Sequence, residues 1–289
     1  MGGRWRLYGL AILAAIGGVL LAAIVMYFWS KPNDALAYWL AGENLVAGRP
    51  IYLTGEDAFQ PYAYHYVPAV AQLFAPLTLV IPTIGYLIAY RAIELLVTWQ
   101  LAGRRMLPML ALIAFLPVAV ELSTENVHLL MALGVVLGLS RWPWLFTVGA
   151  IVKISPGLGL VYLAVQRRWR DLAISIVVGG VIVGVSFAMD PALWQAWFDT
   201  VVGRVGVTGN SLIPVPYIVR ALAGLAMAVA GGLLGRRPGE LLLVGAVTIA
   251  NPNLSMNGFA VLAAMVPIWR AGPDGLAARR TPSGREGAA

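Results

Sequence analysis

The 289-residue sequence has no cysteine, two histidines and two lysines, and only 13 of its side chains are acidic. Without a thiol, disulfides and thiolate metal centres are excluded. The two histidines, His65 and His128, lack the spacing of a ligand pair, so no metal site is expected. Charged residues make up 11% of the chain, against about a quarter in a soluble domain. That deficit excludes a water-soluble globular fold of this size. The net charge of +7 does not mark a nucleic-acid partner, because the arginines stand in short clusters between apolar runs.

What is present is hydrophobicity, at 60% of residues and a mean hydropathy of +0.80. Lipid offers the backbone no hydrogen-bond partner, so spanning segments are helices or closed barrels, and the uninterrupted apolar runs exclude the alternating barrel pattern. The fold class is therefore all-α: a single polytopic membrane domain over residues 1–270, followed by a Gly-, Ala-, Arg- and Pro-rich tail, 271–289, expected to be disordered. The run 7–29, preceded by Arg4 and Arg6, is long enough for a span and reads as a retained first helix.

The arginine clusters thread the chain by the positive-inside rule. With both termini, Arg104/Arg105, Arg141, Arg167/Arg168/Arg170 and Arg236/Arg237 on the cytoplasmic side, residues 67–102 return inward, broken by Pro68, Pro76 and Pro82. Residues 107–121 go out and 127–140 come back. Residues 143–165 form a hairpin of two arms turning at Lys153-Ile154-Ser155-Pro156, each too short for a roughly 30 Å core. Residues 171–189, 214–234, 240–250 and 257–270 complete the bundle. About nine or ten spanning or half-spanning helices result, with the first extracytoplasmic loop at 30–66.

This threading leaves the unusual polar residues on one face. Asp34 precedes an amphipathic stretch ended by Gly48 and Pro50, an expected interfacial helix, and suits both an N-cap and a general base, since a capped carboxylate stays ionised and aimed. Lys153, at the hairpin tip, reads either as a snorkelling lysine or as a cation facing an anionic group. Glu121, Glu125, Asn126 and His128 gather where two spans meet, as an ordinary polar loop also would. Tyr52, Tyr62, Tyr64 and Tyr66, with Trp194, Trp197 and Phe198, suit an interfacial aromatic belt.

Five segments in order then carry a resemblance: DALAYWLAGENLVAGRPIY (34–52), PYAYHYVPAVAQLFAPL (61–77), ENVHLLMALGVVLGL (125–139), IVKISPGLGLVYLAVQRRWRDL (151–172) and NSLIPVPYIVRAL (210–222). Together they resemble glycosyltransferase family 87, multi-spanning enzymes of the GT-C class that use a polyprenyl-phosphate sugar, usually mannose. The resemblance implies a GT-C-like bundle in the plasma membrane with an extracytoplasmic site, a polyprenyl-phosphate sugar donor, a lipid or glycan acceptor, membrane lipids as surroundings, and no cofactor. It maps the family's base onto Asp34 and its lysine-to-proline turn onto Lys153 and Pro156. Arg204 and Arg220 join Lys153 as expected donor-phosphate cations, and Tyr38, Tyr64, His65, Glu125, Asn126, His128, Asn210 and Asn257 are expected at the substrates. Two positions depart from the family pattern. Ser123-Thr124-Glu125-Asn126 stands for Gly-Gln-x-Asn, and Asn251-Pro252 with Asn257 stands where a histidine often follows; asparagine cannot exchange a proton. A transporter or flippase, which also uses broken helices, and a non-catalytic assembly subunit are the competing readings.

Overall fold

The computed structural model describes residues 34–53, 62–202 and 211–277, together with Gly17. The expected first span over 7–29, Arg204, Asn210 and residues 278–289 lie outside the described residues. Among the described residues every regular element is a helix.

Helix α1 (Asp34–Val46) opens on an acid in its first turn and ends before Gly48, whose φ of +66° stops it. It is the helix expected in the first outer loop. Its small residues let it lie flush on α2 (Pro68–Thr78): a Cβ on Gly42 would stand 3.0 Å from the backbone of Phe74 and Ala75. Pro82 then introduces α3 (Thr83–Leu101). Buried Tyr86, Tyr90, Glu94, Val97, Thr98 and Leu101 recur at the helical period, while Ile84, Ile88 and Leu96 face outward, so α3 turns its polar groups inward and its apolar ones toward lipid.

The segment expected to run outward as one span over 107–121 is broken. Helices α4 (Met106–Ala114) and α5 (Leu116–Thr124) meet at 83°. Phe115 is extended, and Pro117, in the first positions of α5, starts a helix better than it continues one. Helix α6 (His128–Ser140) follows, and then the expected hairpin: α7 (Leu145–Val152), a 3₁₀ turn at Ser155–Gly157, and α8 (Leu158–Val165). Eight residues give each arm about 12 Å, well short of a bilayer core.

Helix α9 (Trp169–Met189) is long, apolar and mostly exposed. Helix α10 (Pro191–Val202), not anticipated, begins where Asp190 caps the Leu193 amide at 3.0 Å and Pro191 takes the first position. Helices α11 (Tyr217–Leu234) and α12 (Arg236–Ile249) turn at Gly235, and Gly231 packs on Gly239 so closely that a Cβ at Gly231 would lie 2.6 Å from the Gly239 carbonyl oxygen. A nine-residue 3₁₀ stretch, Met256–Ala264, leads into α13 (Met265–Arg270). By length and composition α9 and α11 can cross a membrane, and the bent α4–α5 pair is a third candidate.

The bundle has two chemically distinct ends. Arg270 donates to the Ala102 carbonyl, Arg237 lies 4.4 Å over the Trp269 ring, and Gly235 approaches Gln166, which gathers the arginine-bearing turns at one end. Within the stretch expected as a tail from residue 271, the described residues pack on the bundle: the buried Glu240 carboxylate accepts the Leu276 and Ala277 amides at 2.8 Å each. Asp34, Asn126, Lys153 and Asn251 meet at the other end. Gly239→Leu is expected to lower the melting temperature of the solubilised protein at a cost of about 1–3 kcal/mol. Gly180→Leu, where nothing lies within 4 Å, is expected to leave it unchanged; equal effects would refute the close α11–α12 contact.

Candidate functional site

The turn between α5 and α6 builds the centre. Glu125 ends α5 in the left-handed region (φ +51°) and pairs with Arg91 of α3. The next residue, Asn126, has its carbonyl held by the Tyr90 hydroxyl at 2.7 Å. Its side-chain oxygen accepts the Val127 amide at 2.8 Å and the Lys153 ammonium at 3.1 Å, and its amide nitrogen donates to Asp34. An ammonium only donates and a carboxylate only accepts, so these partners fix which way the amide points. One side chain therefore joins α1, the α5–α6 turn and the hairpin tip.

Behind Lys153 lies a second layer. Its Nζ is 2.9 Å from His128 Nε2, which is also 2.8 Å from Asn251 Nδ2. His128 Nδ1 is 2.9 Å from Glu121 Oε2, and Glu121 Oε1 accepts the His128 and Leu129 amides. Asn257 donates to Thr124 at 3.2 Å and accepts from Ser255, tying the 3₁₀ stretch to α5. Burial pushes the Asp34 carboxyl above its ordinary range, the Lys153 cation and the Asn126 hydrogen bond pull it back, and Glu121 adds to the rise. Burial likewise pulls the Lys153 ammonium down, opposed by the attraction of Glu121 and Asp34.

Of the residues expected at the site, Asp34, Asn126, His128 and Lys153 form one connected network, and Glu125 and Asn257 brace its edges. Tyr38 lies in an aromatic cluster beneath Asp34, 4.6 Å from Tyr66, while Tyr64 spends its hydroxyl on the Val67 carbonyl at 2.8 Å. His65 is exposed. Arg220, expected at the donor phosphate, is instead buried: it donates to the carbonyls of Val215, Ile249, Asn251 and Pro252 at 2.6–3.2 Å. A guanidinium so engaged fixes the turn that carries Asn251. Glu121, Asn251 and Arg91 were not among the expected site residues. Arg91 and Glu94, charges inside an apolar stretch, were a readable signal. No group of three or more His, Asp or Glu able to hold a metal ion occurs among the described residues.

Ionisable groups linked across four elements at one end of an apolar helical bundle define a membrane protein with a built polar site. The chain belongs to glycosyltransferase family 87, whose model matches residues 64–281, and it is accordingly a membrane glycosyltransferase. Asp34 precedes the matched stretch and is brought to it by Asn126. No curated protein and no solved structure matches the chain.

Arg220→Lys keeps the charge but cannot span four carbonyls. It is expected to destabilise the protein by about 1.5–3 kcal/mol, seen in thermal unfolding, with the donor KM of the folded fraction unchanged. A raised donor KM at unchanged stability would make Arg220 a substrate cation after all.

Proposed function

We propose that the protein transfers a sugar, mannose by the family resemblance, from a polyprenyl-phosphate donor to a hydroxyl of a lipid or glycan acceptor on the extracytoplasmic face, with inversion. The carrying observation is the single Asn126 amide that holds Asp34 and Lys153 side by side without letting them pair directly. A carboxylate quenched in a direct ion pair is a poor base. One held by an amide donor keeps a lone pair for the acceptor proton.

In the reaction the acceptor oxygen attacks the anomeric carbon on the face opposite the phosphate. The carbon–oxygen bond to phosphate breaks, and the acceptor proton passes to Asp34. The departing polyprenyl phosphate gains negative charge as it leaves, which the Lys153 ammonium stabilises without a general acid. Arg204 and Asn210 are assigned to the donor phosphate and to substrate respectively, on the resemblance. His65, which is exposed, is assigned to the wall of the substrate site, and the buried Tyr38, Tyr64, Glu125 and Asn257 to the packing that supports it. The arginine-bearing end is placed in the cytoplasm and the Asp34 end outside, in the plasma membrane. Family membership favours this reading over a transporter.

Asp34→Asn is expected to reduce kcat by roughly 10²–10⁴-fold in transfer from a polyprenyl-phosphate sugar, with the protein still folded. Full retention of transfer would remove the base. The pH profile gives a second check. Because Asp34 must be unprotonated and burial raises its pKa, the acidic limb of kcat/KM is expected above the ordinary carboxylate range, with activity lost as pH falls through it. Lys153→Met is expected to move that limb further up, and Glu121→Gln to move it down. A limb indifferent to both substitutions would assign it to another group.

A further inference from the structure

The transfer reaction as written gives no task to His128, although its ring lies within hydrogen-bond reach of three side chains. It is fully buried, so it cannot reach a substrate directly. Three groups contact its ring: Glu121 from α5, Lys153 from the hairpin tip, and Asn251 beyond α12. The Lys153 ammonium, 2.9 Å from Nε2, can only donate. A proton on Nε2 would point at those ammonium hydrogens, so Nε2 carries the lone pair and the ring proton sits on Nδ1, where Glu121 Oε2 accepts it at 2.9 Å. The Asn251 amide nitrogen, 2.8 Å from Nε2, shares the one lone pair of that ring nitrogen with Lys153, and the Asn251 backbone is itself clamped by Arg220.

Lysine is a flexible stem ending in three hydrogens. Here Asn126 Oδ1 and His128 Nε2 take one hydrogen each. Tetrahedral geometry then fixes where the third points. We propose that His128 is a positioning residue: a neutral imidazole in its Nδ1–H form, oriented by Glu121 and Asn251, whose Nε2 aims the Lys153 ammonium at the donor phosphate. The inference rests on Lys153 facing that phosphate. It replaces direct substrate contact as the role of His128.

The test uses full-length protein labelled with ¹⁵N-histidine. The chain has only two histidines, and His65→Gln assigns the spectrum. At neutral pH the His128 ring is expected to show the Nδ1–H pattern; an Nε2–H or doubly protonated ring overturns the proposal. Kinetics supply the second arm. His128→Leu is expected to raise the donor KM about 10- to 100-fold, whereas His128→Gln, which can return an acceptor toward Lys153, is expected to stay within about threefold of wild type. Loss of thermal stability in both variants with an unchanged donor KM would make His128 merely structural and overturn the proposal. The ring spectrum needs no turnover. Failure of the donor assignment would appear as an inactive wild type with an Nδ1–H ring, and failure of this proposal as the wrong ring in an active one.

Discussion

The site depends on one carboxamide serving two charged neighbours at once. Asn126 offers a donor to Asp34 and an acceptor to Lys153, so opposite charges sit close together in a poorly solvated place without collapsing onto each other. A direct salt bridge there would be the obvious electrostatic solution, and it would leave both groups spent. The amide needs a rigid mount to prevent that collapse. It has one in the left-handed Glu125, the Arg91 pair and the Tyr90 hydroxyl, all anchored on α3. The charge separation is thus a property of the α3–α5–α6 junction rather than of any one residue.

The short elements of the fold follow from the same requirement. A polar cluster in an apolar bundle needs backbone and side-chain partners converging from many directions. Continuous spans would pass by such a point, whereas ends and breaks stop at it. The α5–α6 turn, the hairpin tip and the turn after α12 each terminate a segment at the cluster. The long helices α9 and α11 instead present apolar faces outward and leave the chemistry to the short ones.

Much of this was legible in the amino-acid string. The charge deficit and apolar runs required a helical membrane bundle, and the hairpin tip at Lys153 was marked by arms too short to span. That Arg237 and Asp34 lie at different ends of the bundle was also expected from the arginine clusters. Local signals were overlooked at α10, where Asp190-Pro191 is a cap followed by a helix-starting proline, and at Phe115-Leu116-Pro117, where proline breaks a run that length alone makes continuous. Other features had no local signal. Asp34 and Asn126 are 92 residues apart, Asn251 reaches His128 across 123, and Arg220 looks like a surface cation until four carbonyls close around it.

The hairpin tip has a further consequence. Lys153 is extended (φ −142°, ψ 129°) and turned toward the polar cluster, while the next residue, Ile154, is 63% exposed. The backbone passes from extended at Lys153 to helical at Ile154 (φ −55°, ψ −31°), and across that one peptide bond the side chains part, one to the cluster and the other to the outside. The prenyl phosphate proposed as donor has the same division, ionic head and hydrocarbon chain joined at one oxygen. The order of Lys153 and Ile154 is therefore constrained: exchanging the two residues would carry the ammonium out of the cluster and the isoleucine into it, even with every composition-level property of the segment intact.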